Sequence, residues 1–209
     1  QAYNSIYKGN ALLKNEKFHS SSISYRKFNS YRGLSIYANL YYNRRERSVR
    51  NQVILDGVDR YNLAFMMDTP ETSWNFIGSI EKDLKLVRLG LQPIANYTEF
   101  TQAVNTKLQN TNTKGVGTTW SIRSIWEYNF DVDFRFTKSF SKYSSTQKTN
   151  YDSDRIEFSL SYDFFKNWQA KASYEYYKNS NRTDKTSRDY NLSEFSLRYN
   201  LAQSAWSFE

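Results

Sequence analysis

Residues 130–140 read Phe-Asp-Val-Asp-Phe-Arg-Phe-Thr-Lys-Ser-Phe. In an extended backbone successive side chains point to opposite faces, so Phe130, Val132, Phe134 and Phe136 share one face and Asp131, Asp133, Arg135 and Thr137 share the other. The pattern recurs along the chain. Leu34, Ile36, Ala38, Leu40 and Tyr42 alternate with Ser35, Tyr37, Asn39, Tyr41 and Asn43, and Ile156, Phe158, Leu160, Tyr162 and Phe164 alternate with Glu157, Ser159, Ser161 and Asp163. Shorter runs begin at Ser21, Trp74, Val87, Trp120, Trp168 and Phe195. About ten strands of this kind predict an all-β antiparallel meander forming part of a transmembrane outer-membrane β-barrel, with one face to lipid and one to the lumen.

Working outward, the strands are separated by two kinds of connection. Short corners are expected near residues 29, 83, 128, 166 and 202, whereas residues 44–72, the Asn/Thr/Gln-rich stretch ending at Gly117, 142–154 and 178–190 read as long polar loops. Brief turns at one end and longer loops at the other are the arrangement of bacterial barrels. Aromatic residues gather at the short corners: Phe28 and Tyr31, Trp126 with Tyr128 and Phe130, Phe164 and Phe165 with Trp168, then Trp206. They predict a periplasmic-side aromatic girdle. Pro93 interrupts the strand from Val87 to Tyr97, because proline cannot donate to a ladder and marks a bulge or a break.

Composition agrees with a two-faced wall. Aromatic residues make up 18 % of the 209 residues, with 18 Tyr, yet the chain carries a net charge of +8 and a mean hydropathy of -0.81. No run of apolar residues is long enough for a membrane helix. Cysteine is absent and His19 is the single histidine, so thiolate chemistry and His-rich metal sites are excluded and a catalytic triad would have to use His19. His19 has no acid and nucleophile in a recognisable spacing, and neither an enzymatic activity nor a cofactor is expected. Apart from Arg44, Arg45, Arg47 and Arg50 the basic residues are spread among acidic ones. They read as solvated surface, lumen wall and attraction to anionic headgroups rather than a nucleic-acid interface.

The stretch Gly9-Asn10-Ala11-Leu12-Leu13-Lys14-Asn15-Glu16, followed by Ile23-Ser24-Tyr25 and the strand from Tyr31 to Arg47, resembles the Gly-Asn-Pro-x-Leu-Lys-Pro-Glu lead-in to the late barrel strands of TonB-dependent outer-membrane receptors, especially the Bacteroidetes-type β-barrel proteins. Ala11 and Asn15 stand where that family has prolines. Met-Asp-Thr-Pro-Glu-Thr-Ser-Trp from Met67 and Ser-Ala-Trp-Ser-Phe-Glu from Ser204 sit where similar segments fall in that family. The resemblance implies a barrel of about 22 strands, filled by a plug and powered from the inner membrane through TonB. Residues 1–209 would then be one partial barrel domain, the late strands of a larger receptor in the bacterial outer membrane.

This reading gives the faces their roles. Leu34, Ile36, Phe134, Phe136, Phe158 and Leu160 are expected to meet lipid. Arg88, Arg123, Arg135, Lys171 and Arg198, with Asp131, Asp133, Glu157, Asp163 and Glu175, are expected to line the lumen and to pair with one another or contact a plug or solute. Tyr61, Phe65, Trp74, Tyr97 and Phe100 are loop candidates for stacking on a sugar ring or a siderophore. The function expected is uptake of a siderophore or oligosaccharide-type nutrient. The expected partners are outer-membrane lipid, the remainder of the barrel and its plug, TonB, and, for glycan uptake, a surface lipoprotein lid. The alternatives are a passive or structural barrel, such as a porin-like channel or a secretion or attachment component, a soluble β-sandwich binding protein, and an outer-membrane hydrolase.

Overall fold

A computed structural model describes all residues except 1–3, 9, 11–12, 57–58, 105–106, 127–128, 166, 201–206 and 209. Every regular element among them is a strand: β1 (Asn4–Lys8), β2 (Lys17–Asn29), β3 (Leu34–Asp56), β4 (Asp59–Met67), β5 (Glu71–Asp83), β6 (Val87–Val104), β7 (Lys107–Ser124), β8 (Phe130–Ser144), β9 (Lys148–Phe164), β10 (Trp168–Asn181), β11 (Thr186–Asn200) and β12 (Ser207–Phe208). They form a single 12-stranded sheet in the order β1-β4-β3-β5-β6-β7-β8-β9-β10-β11-β12, with β2 also paired to β3. The β2–β3 hairpin and the run from β3 through β5 to β12 make the antiparallel meander; β1 alone lies parallel, along β4.

The short corners lie where the sequence puts them. β2 stops at Asn29, β5 at Asp83, β7 at Ser124 and β9 at Phe164, and the next strand starts within a few residues each time; Tyr128, Lys166 and the corner expected near residue 202, with Trp206, lie outside the described residues. Gly33 takes the left-handed conformation (φ +57) that the first corner needs, and a Cβ there would meet Asp83 Cβ at 2.8 Å. Its carbonyl accepts the Asp83 N–H at 2.7 Å, which ties neighbouring corners together.

The long polar connections, by contrast, are mostly strand. β3 runs through the expected loop to Asp56 and the chain returns as β4, paired from Ser48↔Met67 to Asp56↔Asp59. β6 and β7 stay paired to Val104↔Lys107, β8 and β9 to Ser144↔Lys148, and β10 and β11 to Asn181↔Thr186. Beyond the bilayer both faces meet water, so the apolar alternation that identifies a strand disappears while the backbone ladder continues. Of the turn signals expected there, Asp68-Thr69-Pro70 does break the chain, between β4 and β5, and Asp56 is the last residue of β3. Pro93 lies inside β6, opposite Gly78, at the gap between the Ile77↔Ile94 and Ile80↔Leu91 pairs. The glycine leaves room for the ring, since a Cβ on Gly78 would lie 3.0 Å from Pro93 Cγ.

Register carries the alternation across the sheet. Rows such as Leu91-Trp120-Phe136-Ile156-Tyr176 and Ile122-Phe134-Phe158-Tyr174 share one face. Large side chains of this face stand open: Trp120 is 53 % exposed, Ile122 47 % and, on β11, Phe195 72 %, while others such as Phe134 and Phe136 are half-buried. Met67 is the one buried hydrophobic residue among the described residues. The surface of 15610 Å² far exceeds the roughly 10,000 Å² of a compact soluble protein of this mass. A β-sandwich core would have to cover these rings, so the soluble sandwich is ruled out as an architecture for this sheet.

The uncovered face has the dimensions of a bilayer. It begins at the stacked pair Phe164 and Trp168, with ring centroids 6.3 Å apart, and Trp168 and Tyr199, 4.9 Å apart. It ends at the row Lys138-Asp154-Lys178-Asp189. The interval from Phe164 to Asp154 is about 33 Å of strand, which a tilt of about 40° projects to about 25 Å, the height of a barrel's apolar band. Leu160→Arg on this face is expected to cost about 2–4 kcal/mol in urea unfolding from lipid vesicles, and Ser159→Arg, on the opposite face, well under half of that. Equal costs would show that Leu160 does not face hydrocarbon.

Candidate functional site on the charged face of the sheet

The face opposite the apolar band collects the alternate residues of the same strands, and its charges sit in matched ladders. Asp83 and Arg88 are cross-strand partners at the β5–β6 corner, and Arg88 Nε donates to Asp83 Oδ1 at 2.5 Å and its Nη2 to Oδ2 at 3.0 Å. On β7 and β8, Asp133 accepts from Arg123 Nε at 2.8 Å and from Arg135 Nε at 3.0 Å. Arg135 faces Glu157 across the β8–β9 ladder. Arg155 then bridges Glu157 at 3.1 Å and Glu175 at 3.0 Å. Hydroxyl pairs continue the ladder, with Thr119 and Thr137 Oγ1 atoms 2.9 Å apart and Ser139 and Ser153 Oγ atoms 2.6 Å apart. Of these groups, Arg88, Arg123, Arg135, Arg155 and Glu157, with Thr119 and Thr137, line one open groove across β5–β9 together with Glu81 and Gln92.

Of the expected lumen residues, Arg88, Arg123 and Arg135 are therefore brought together with Asp133 and Glu157. Lys171 stands across from Ser161 and Ser196, and Arg198 across from Gln169, on the same face but nearer the corners. Asp163 accepts from Gln169 Nε2 at 2.8 Å, and Asp131 accepts from Ser124 Oγ at 3.2 Å. Arg155 joins Glu157 to Glu175 although the sequence reading passes over it. It lies two residues before Glu157, one step beyond the stretch assigned to a loop, and extending the period by that step would have placed it.

The loop candidates are not on loops. Trp74 belongs to β5 and Tyr97 to β6, directly paired across the ladder, and Trp74 packs on Tyr42 with ring centroids 4.3 Å apart. These rings stand on the apolar face at its end away from the corners, the place of an interfacial girdle. Phe65 lies in β4 opposite Arg50, and Phe100 lies in β6 under the Arg50 guanidinium, 6.0 Å away. Nothing is described of the Tyr61 side chain. The motif residues have structural partners: Asn10 Nδ2 donates to the Ala64 carbonyl at 3.1 Å, Glu16 accepts the Val49 N–H at 2.9 Å, and Asp68 pairs with Arg47 at 2.8 Å. Gly9, Ala11 and Leu12 lie outside the described residues. His19 is exposed, with Nε2 3.5 Å from Glu46 Oε1.

The fold of this sheet has a likeness among solved structures. The ferric yersiniabactin uptake receptor FyuA of Yersinia pestis matches with a TM-score of 0.58 at 9% identity, over 91% of this chain and 36% of that one. The likeness is one of fold. OmpT, an outer membrane protein of Vibrio cholerae, matches with a TM-score of 0.44 at 10% identity, over 92% of this chain and 85% of that one. This chain thus spans about a third of the receptor's length. No protein-family model matches the chain, and no curated protein matches it by sequence.

Two outcomes follow from the geometry. Asp133→Asn leaves Arg123 and Arg135 facing each other, and is expected to cost about 1 kcal/mol, with a coupling of about 0.5 kcal/mol to Arg123→Gln in a double-mutant cycle of urea unfolding. Zero coupling would remove the pair from the ladder. Above the apolar band, Tyr97 Oη donates to Glu99 at 2.7 Å and Asn110 Nδ2 at 3.1 Å, and these bonds hold the Glu99 carboxyl below its usual 4.5. A depressed carboxylate stabilises the fold at higher pH and loses that contribution as the pH falls below the ordinary value. Amide protection in the outer half of the β6–β7 hairpin should therefore drop below pH 4.5, and a Glu99→Gln variant should show no such drop.

Proposed function

We propose that this chain is part of the wall of an active transporter in the bacterial outer membrane, one that takes up a nutrient of the siderophore or oligosaccharide class. The observation that carries the reading is the pairing of an uncovered apolar band about 25 Å high with a charged, internally neutralised opposite face. The fold likeness to an outer-membrane uptake receptor over 91% of the chain supports it. In this reading the charged face is a lumen wall. Arg88, Arg123, Arg135 and Arg155 offer guanidinium donors to a plug or a polar solute without leaving bare charge when none is present, and Lys171 and Arg198 extend the same wall toward the periplasmic corners.

Residues 1–209 act as one partial barrel domain. Among the described residues β2 pairs with β3 alone, and β11 meets β12 at Tyr199 and Asn200 only. Both edges would leave backbone groups unpaired in lipid, so strands outside this sheet close it, and a plug fills the lumen. TonB supplies the energy, a surface lipoprotein lid serves glycan capture, and the chain carries out no covalent chemistry of its own.

The test is fractionation of the native cells, with heat-modifiable migration of the outer-membrane fraction, followed by nutrient uptake in cells with and without TonB. A boiling-dependent shift, with uptake lost when either this protein or TonB is removed, is the expected result. A shift with solute flux that persists without TonB would replace the receptor with a passive barrel.

A further inference from the structure

Just beyond the apolar band, on the lipid side, the sheet carries a cluster of cations, two of which have no salt-bridge partner among the described residues. Lys114 on β7 and Lys142 on β8 are direct cross-strand partners, and both are exposed. Like charges placed opposite each other on a ladder are destabilising. Among the described residues no salt bridge reaches either lysine. Lys114 Nζ sits 5.3 Å from the Tyr97 ring centre; it feels the charge of Glu99, but that carboxylate's hydrogen bonds come from Tyr97 and Asn110. Next to them the Phe140 ring lies between Lys138 Nζ at 5.2 Å and the Arg182 guanidinium at 5.3 Å. Those two cations are engaged by Asp154 at 2.7 Å and Asp152 at 2.5 Å. Lys114, Val116, Phe140, Lys142, Asn150 and Arg182 line one shallow groove.

The parity of the strands fixes where that groove opens. Val116 and Phe140 share the face of Trp120 and Phe136, so a molecule seated in it can place its charge between the lysines and its apolar part on the band below. We infer that the groove binds the phosphorylated headgroup of an outer-leaflet lipid, with phosphate bridging Lys114 and Lys142 and acyl chains descending over Trp120 and Phe136. The phosphate removes the lysine–lysine repulsion by charge-assisted hydrogen bonds, and the Phe140 ring gives the headgroup an apolar floor. The site rests on the reading of this face as lipid-facing.

The test uses the purified native protein in vesicles of phosphatidylcholine and phosphatidic acid in equal parts, extracted into mild detergent and weighed by native mass spectrometry for retained lipid. Heat-modifiable migration of each sample shows separately whether the barrel has inserted, so a failure of membrane insertion is distinguished from a failure of the site. Retention of phosphatidic acid over phosphatidylcholine is expected, falling about tenfold or more in a Lys114→Gln/Lys142→Gln variant and unchanged in Lys85→Gln at the opposite end of the barrel. Excess inorganic phosphate should not strip the lipid. Equal retention in the double variant, equal retention of phosphatidylcholine, or displacement by phosphate alone would each overturn the assignment.

Discussion

A strand in hydrocarbon has no water to turn to, so each backbone N–H and C=O must find its partner on a neighbouring strand. That single requirement organises the sheet. It keeps β6 to β11 in continuous register from corner to corner, and it explains why Pro93, the one residue inside this run without an N–H, is set opposite a glycine in the ladder's only skipped step among the described pairs of β5 and β6. It also makes the side chains free agents. With the backbone satisfied by neighbours, a face can be apolar or charged according to the medium it meets, and no core is needed between them.

The consequence is visible in how charge is arranged. Between the corners and the Lys138-Asp154-Lys178-Asp189 row, Arg88, Arg123, Arg135 and Arg155 of the lumen face stand among Asp83, Asp133, Glu157 and Glu175 and are bound to them. A wet interior screens such pairs, so each contributes little alone; their joint effect is to hold several guanidiniums in place without a net field along the wall. The row on the other face alternates Lys, Asp, Lys and Asp across four strands. Charges that neutralise one another in a line can sit at the edge of hydrocarbon at far lower cost than isolated ones.

How much of this was legible depended on which medium each residue meets. Phe130 to Phe140 and Ile156 to Phe164 lie between lipid and lumen, so their alternation marks strand, face and corner without ambiguity. The stretches 44–72, 142–154 and 178–190 are flanked by water on both sides, and Ser, Thr, Asn and Lys fill either face with no penalty. Their ladders therefore leave no apolar period to read, and strands such as the second half of β3 looked like loops. Trp74 and Tyr97, at the ends of readable runs, invite a second reading as loop aromatics because a ring at the end of the apolar face looks the same in sequence as a ring on a loop, and Arg155 is hidden because its role depends on Glu157 and Glu175 from two different strands.

The net charge of +8 then acquires a location. It is not a property of the lumen wall, where acids answer the bases. Much of the excess lies in the hairpins beyond the band, at Lys114, Lys142, Lys148, Arg44 and Arg45, none of which forms a salt bridge among the described residues. A surplus carried by the polar hairpins acts over about a Debye length, roughly 8 Å at physiological salt. It acts on whatever lies against the hairpins and only weakly on the charged face within the band. The outer hairpins and the charged face of the sheet thus carry different sets of charges, and a substitution in one set can change the field beyond the band while leaving the ladders within it intact.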